Sequence, residues 1–377
     1  MIIAALLETA PETRVAITPT SAKNYIKSGF EVSIEKNAGL AAGFSDEAYE
    51  QVGVHVSKDK KKILAKANIL LCINEPDPKN LADLPQGTLI IGHIDKEPQS
   101  KLITWCLEQQ ITLFSMNLIP RLSRAQSMDS LSSQANLAGY RAVLEATNQY
   151  RRAIPMMMTA AGMIQPAKVL ILGAGVAGLQ AIATAKRLGA VVYAFDVRQA
   201  AKEQVESLGA EFIEVSQEQD SETKGGYAAE SSEEYKKLQA ELIDQYAKLS
   251  DIVISTALIP GRKAPILVHQ HTVEQMKPGS VIVDLATSRG GNCEVSKLDE
   301  TIKFGEVTVI GISNMAGLVP TTASELYANN LVHLINLLAS TPPEIQFNAA
   351  DEIIQQATLC HKGQYLPFQA TKETQNA

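Results

Sequence analysis

The stretch VLILGAGVAGLQAIATAKRLGAVVYAFD at 169–196 restricts the fold of this chain more than any other. It opens on an apolar run, 169–172, of the kind that forms a buried strand. Gly173, Gly175 and Gly178 then fill a G-x-G-x-x-G frame, a helical pattern follows over 177–188, and a second apolar run ends at Asp196. Each glycine answers a separate demand. Gly173 permits the tight turn, Gly175 lets a pyrophosphate approach the backbone, and Gly178 lets helix and strand pack closely. The helix start at Val176 and Ala177 offers N–H groups and partial positive charge to phosphates. Asp196, followed by Val197 and Arg198, stands where a carboxylate accepts hydrogen bonds from an adenosine ribose. The glycines alone are a weak signal. Strand, glycines, helix, second strand and acid in this order predict a dinucleotide site. A carboxylate at 196 repels a 2′-phosphate and favours NAD(H), although an arginine as close as Arg198 can accommodate that phosphate.

Length and charge narrow the class. The 377 residues suggest two or three domains. A net charge of −7 disfavours nucleic acid or an anionic membrane as the main partner. Cys72, Cys106, Cys293 and Cys360 are scattered and form no C-x-x-C, so neither a disulfide framework nor a zinc site is expected. His269 and His271 are the one close histidine pair, read as a loop or helix start rather than a metal site. The basic run at 58–62 is read as the solvated start of a helix. Glu8 interrupts the N-terminal apolar stretch, which argues against a secretory signal and for a cytosolic protein.

The rest of the chain alternates strand-like and helix-like segments. Strands are expected at 2–6, 31–34, 68–73, 89–91 and 111–114, with a helix capped by Thr18 and started by Pro19, another capped by Ser45, and one over 99–108. Beyond Asp196 come a helix at 199–208 and strands at 211–213, 251–255, 281–284 and 307–310. A polar segment, 215–232, breaks this rhythm, as functional or disordered insertions do. Two long helices flank the second unit. One covers 130–150, and the other opens on a capping box at Thr322 and Glu325. The alternation predicts an α/β chain of two Rossmann-like doubly wound domains joined by long helices. The first domain is discontinuous, 1–130 plus 320–377, and the second, NAD(H)-binding domain covers 131–319. The tail after about 364 is read as loose.

Three segments together resemble a known family. They are the stretch already described, PRLSRAQSMD at 120–129 continued by SLSSQANLAGYRAV to 143, and KGGYA at 224–228. Over nearly its whole length the chain resembles the soluble NAD(H)-binding part of the alpha subunit of proton-translocating NAD(P) transhydrogenase. The resemblance implies that Arg121, Gln126 and Asp129, with Ser132 just beyond, hold the nicotinamide end of NAD(H). A guanidinium and an amide suit a carboxamide and a ribose. Read without the resemblance, Asp129 is simply a helix cap and Arg121 and Arg124 are solvated. KGGYA resembles a mobile loop in which Gly226 gives freedom and Tyr227 folds over the nucleotide. At the end of the strand 251–255, Ala257 and Leu258 fall where such sheets face their ligand.

The resemblance also implies an activity. NAD(H) sits in the crevice between the two domains, and hydride passes directly to or from NADP(H) on a separate partner subunit. Membrane-spanning subunits couple this to proton movement. The chain is then a homodimer, cytoplasmic and peripheral to the membrane through its partners, with no resident metal. The alternative is an alanine dehydrogenase-like enzyme. That family resembles this chain at Arg14, in RVAITP, and His93 resembles its catalytic histidine. It also needs a lysine where Ile73-Asn74-Glu75-Pro76 stands here, and Asn74 cannot act as a cationic acid–base group.

Overall fold

The computed structural model describes residues 1–97, 99–215, 233–259, 262–339 and 342–366. The chain divides into two compact units, Met1–Gln134 together with the chain from Gly317 onward, and Ala135–Ala316.

In the first unit, eight strands among the described residues form one sheet. Their spatial order is Gln364–Tyr365, Thr358–His361, Thr112–Ser115, Leu89–His93, Ile69–Asn74, Ile2–Ala5, Glu31–Glu35 and His55–Ser57. Neighbours run parallel from Thr112–Ser115 to His55–Ser57, and the two C-terminal strands are antiparallel. The side-chain period of two explains the strong apolar runs. Ile3, Ile69, Leu71 and Ile91 enter a core with Tyr25, Tyr327, Leu331 and Leu334 on one face. Ala4, Leu70, Ile90 and Leu113 meet Leu102, Ile103 and Cys106 on the other. Each such aliphatic side chain removed from water contributes about 1.5–3 kcal/mol.

Local chemistry sets the helix ends. Thr18 accepts a hydrogen bond from the Ser21 amide, and Pro19 opens the helix Pro19–Lys27. Ser45 caps Asp46–Glu50, Asp59 caps Lys60–Leu64, and Ser100 caps Lys101–Glu108. The capping box at Thr322 and Glu325 does not form. The helix Pro320–Leu338 starts two residues earlier, because the fixed φ of Pro320 suits a first turn and places Thr322 inside it.

The second sheet runs Glu211–Phe212, Val191–Phe195, Lys168–Leu172, Ile252–Ser255, Val281–Asp284, Val307–Ile310 and Thr301–Phe304. All neighbours are parallel except the last pair. Numbered along the chain, the seven strands lie in the order 3-2-1-4-5-7-6, a doubly wound arrangement whose ligand crevice opens where the strand order reverses. Val169 and Ile171 pack on Ala142, Val143 and Ile182, while Leu170 and Leu172 pack on Ile243, Ala247 and Val253. The helix Ser130–Gln149 meets the nucleotide-type helix Val176–Arg187 with almost no clearance. A Cβ on Gly139 would stand 2.0 Å from the Ala177 carbonyl oxygen. A small hairpin, Met157–Thr159 with Gly162–Ile164, and the edge strand Thr301–Phe304 were not expected from the sequence.

Candidate functional site

The strand Lys168–Leu172 delivers the chain into the glycine turn, and the three glycines there are unlike one another. Gly173 has φ +97°, and a Cβ on it would meet Thr256 Oγ1 at 2.7 Å. A Cβ on Gly178 would stand 1.8 Å from the Gly173 carbonyl oxygen. Turn and helix packing therefore require both. Gly175 is different: its φ is −76° and a Cβ there would meet nothing within 4 Å. Neither backbone conformation nor packing among the described residues calls for glycine at 175. The room over it fits a group that comes against the backbone from outside, as a pyrophosphate does. Gly175 is also the N-cap of Val176–Arg187, and no side chain caps that end. The turn thus meets the requirement for holding a dinucleotide phosphate.

Asp196 follows the strand Val191–Phe195 and is nearly buried, its side chain 7% exposed. Oδ1 accepts from the Arg198 amide at 2.8 Å and from Arg198 Nε at 2.9 Å. Oδ2 accepts from the Ala174 amide at 2.7 Å and from Arg198 Nη2 at 2.9 Å. The acid is thereby tied to the glycine turn itself. Val197 packs on the apolar core behind it.

The next strand over, Ile252–Ser255, ends beside the turn. Thr256 Oγ1 donates to the Gly173 carbonyl at 3.0 Å. The Ala257 amide donates to Asn292 Oδ1 at 3.0 Å, and Asn292 Nδ2 returns a bond to the Ala257 carbonyl at 2.9 Å. Buried Asp284 holds Asn292 in turn, accepting from the amides of Asn292 and Cys293 and from Ser296 Oγ. Ala257 therefore has a fixed backbone, and Leu258 beyond it is exposed. Asn292 and Asp284 were missed in the sequence. Gly290 and Gly291, both with positive φ just before Asn292, were the available signal.

The loop with Arg121, Gln126, Asp129 and Ser132 belongs to the first unit. Ser123–Met128 is a 3-10 turn anchored by buried Ala125 and Met128, and Asn330 Nδ2 donates to the Ser127 carbonyl at 2.8 Å. Arg121 and Gln126 are exposed. Asp129 accepts from the Ser132 amide at 2.9 Å and from Ser132 Oγ, so it caps the helix that follows. Arg124 makes a two-nitrogen pair with Asp351. Gly226 and Tyr227 lie outside the described residues. Gly173, Gly175, Val176, Ala177, Gly178, Asp196, Val197, Arg198, Ala257 and Leu258 all fall in the second unit, at the carboxyl ends of its strands.

The residues that bear on the dehydrogenase alternative also lie in the first unit. Arg14 donates through Nε and Nη2 to Glu12 at 2.8 and 2.7 Å, and through Nη1 to Gln134 at 2.8 Å. Asn74 Nδ2 donates to Glu12 at 2.8 Å. Burial raises the Glu12 carboxyl, but the bonds and charge of Arg14 outweigh it and bring the pKa to about 2. Glu8, accepting from the Ile73 amide at 2.6 Å, is pushed up to about 7 by burial. His93, beside Ser130 Oγ at 3.1 Å, is pushed down to about 4 by burial and then by the Arg14 charge. The guanidinium is engaged by its own chain, and an amide stands where a cationic acid–base group would be needed. Among the described residues no group of three His, Cys, Asp or Glu could hold a metal, and no helix is long and apolar enough to cross a membrane.

Two family models cover nearly the whole chain. Residues 5–138 match "Alanine dehydrogenase/PNT, N-terminal domain" and residues 142–367 match "Alanine dehydrogenase/PNT, C-terminal domain". An NAD(P) transhydrogenase subunit alpha chain of Rickettsia prowazekii is 44% identical over 364 residues, 95% of this chain and 94% of that one. The solved transhydrogenase of Sinorhizobium meliloti superposes with a TM-score of 0.85 at 41% identity, covering 97% of this chain and 99% of that one. The alanine dehydrogenase of Halomonas elongata is more distant, 27% identical over 335 residues, 87% of this chain and 84% of that one. The chain belongs to the alanine dehydrogenase/PNT family, and within it stands with the transhydrogenase alpha subunits.

Proposed function

We propose that the chain is the NAD(H)-binding component of a proton-translocating NAD(P) transhydrogenase. The observation that carries the binding reading is Gly175, a glycine that no contact among the described residues requires, set beside a tethered carboxylate. The turn 173–178 holds the pyrophosphate, and Asp196 takes the adenosine ribose. Arg121, Gln126, Asp129 and Ser132 orient the nicotinamide, and Tyr227 closes over the nucleotide. Bound NAD(H) supplies the hydride chemistry, and this chain's residues supply position and exclude water. The acceptor or donor is NADP(H) on a separate subunit, and membrane-spanning subunits couple transfer to proton movement. In this reading the chain works as a homodimer at the cytoplasmic face of the membrane, held there by its partners. The names of the transhydrogenase relatives support the multisubunit assignment. Asn74 and the engaged Arg14 favour it over amino-acid oxidation.

Two variants test the assignment. Asp196→Ala narrows the preference for NADH over NADPH about tenfold or more, the size of a lost charge-assisted hydrogen bond. An unchanged preference contradicts the ribose role. With the partner subunit added, Gln126→Asn slows hydride transfer about tenfold while NADH affinity changes less than about threefold. Equal losses in both would remove the positioning role.

A further inference from the structure

The geometry points to Arg198 as a placeholder for the adenosine ribose: its guanidinium occupies the two acceptor positions on Asp196 that the ribose hydroxyls need, and nucleotide binding displaces it. This deepens the proposed function and rests on its reading of Asp196 as the ribose acceptor.

An ionised carboxylate offers about four acceptor positions, two on each oxygen. On Asp196 all four are filled. Two of the donors are backbone amides, those of Ala174 and Arg198, and they belong to the turns that shape the site. The other two, Nε and Nη2 of Arg198, are on a side chain that is 21% exposed. One of these displaceable donors sits on Oδ1 and the other on Oδ2, both at 2.9 Å. A ribose presents two vicinal hydroxyls, each able to donate once. On Asp196 the exchange is therefore two N–H donors for two O–H donors, and the two backbone amides keep their bonds.

The exchange also bears on selectivity. Displacing Arg198 removes the countercharge from a nearly buried carboxylate. A 2′-phosphate brings negative charge to that carboxylate and has no 2′-hydroxyl to donate. Selection for NAD(H) rests on the carboxylate and the 2′-hydroxyl, while the guanidinium freed from Asp196 is the group that can accept a 2′-phosphate. Arg198 costs affinity for the right nucleotide, because the ion pair has to be given up.

The test uses the whole chain. NADH and NADPH binding are titrated by fluorescence for wild type, Arg198→Ala, Arg198→Lys and Asp196→Ala. ADP is compared with 2′,3′-dideoxy-ADP by calorimetry. Arg198→Ala is expected to bind NADH about fivefold tighter, the scale of one partly exposed ion pair. Its preference for ADP over the dideoxy compound should exceed that of wild type. Arg198→Lys, with no two-nitrogen fork, should fall between the two. In wild type, the Arg198 Nε–H NMR signal should shift with ADP and stay in place with dideoxy-ADP, a readout that needs no variant. Weaker or unchanged NADH binding by Arg198→Ala, an unchanged ADP preference, or an Nε–H signal indifferent to the ribose hydroxyls would each overturn the placeholder. NADH binding unaffected by Asp196→Ala would instead defeat the ribose reading itself.

Discussion

The turn 173–178 and the loop 121–132 are both candidate nucleotide contacts, yet they are fixed in opposite ways. In the turn, the chain's own atoms dictate two of the three glycines. A methyl on Gly178 would overlap the Gly173 oxygen, and one on Gly173 would overlap Thr256. In the loop, packing fixes Ala125 and Met128 and leaves Arg121 and Gln126 exposed. Residue identity in the turn follows from steric necessity, with Gly175 as the exception. In the proposed function, residue identity at an exposed loop position such as Gln126 answers to the nucleotide and the partner subunit. A structural role and a binding role can therefore be separated within each region.

Substitutions can undo that contrast or refine it. The largest effect is expected from Gly178→Ala, because both colliding groups belong to the tight strand–turn–helix unit. The second unit should lose about 3 kcal/mol or more, read as a lower denaturation midpoint. Ordinary stability in that variant would mean the turn is looser than its geometry. A smaller, pH-dependent effect is expected from Glu8→Gln. The folded Glu8 carboxyl has a raised pKa of about 7, so its favourable contribution is present below the unfolded value near 4.5 and is lost as pH rises through about 7. The variant should match wild type near pH 4.5 and exceed it by on the order of 1–3 kcal/mol at pH 8. Matching stability at both pH values would show that Glu8 is not withdrawn from water.

Gly175→Ala separates the two roles most cleanly. No atom of the described residues opposes the new methyl, so the melting temperature should stay within about 2 °C of wild type. NADH affinity should fall about tenfold, because the methyl stands where the phosphate must come. A variant that melts early yet binds normally would turn Gly175 into a structural glycine. The smallest effect is expected from Arg124→Ala. Its pair with Asp351 is half-exposed on the arginine side, and such solvent-screened pairs contribute little, so the denaturation midpoint should barely move. NADH binding should not change, and a loss there would give Arg124 a role beside Arg121.

The contrast also explains what the sequence disclosed. Strand positions and the doubly wound class were readable because Val169 to Leu172 and Ile69 to Ile73 are buried on both sheet faces, which demands unbroken apolar runs. Caps at Thr18 and Ser45 were readable because short polar side chains satisfy helix N-termini locally. The start at Pro320 was misread, since a capping box and a proline compete for one position and only the structure ranks them. The support under Ala257 was hidden for a different reason. Asn292 and Asp284 are 35 and 27 residues from Ala257 in sequence, and the glycine pair before Asn292 marks a turn without saying which strand end it supports. The saturation of Asp196 was equally hidden, because a motif records which residue is present and not how many donors it already holds.

In the proposed function this chain is the NAD(H) half of an active site that an NADP(H)-binding subunit completes. The decisive experiment follows hydride exchange from NADH to the acetylpyridine analogue of NAD⁺, with the purified chain alone and then with NADP(H)-loaded partner subunit, beside a reaction holding only alanine and NAD⁺. Exchange is expected only when the partner is added, with no turnover of alanine. Oxidation of alanine by the chain alone would contradict the proposal and make the protein a dehydrogenase in spite of Asn74.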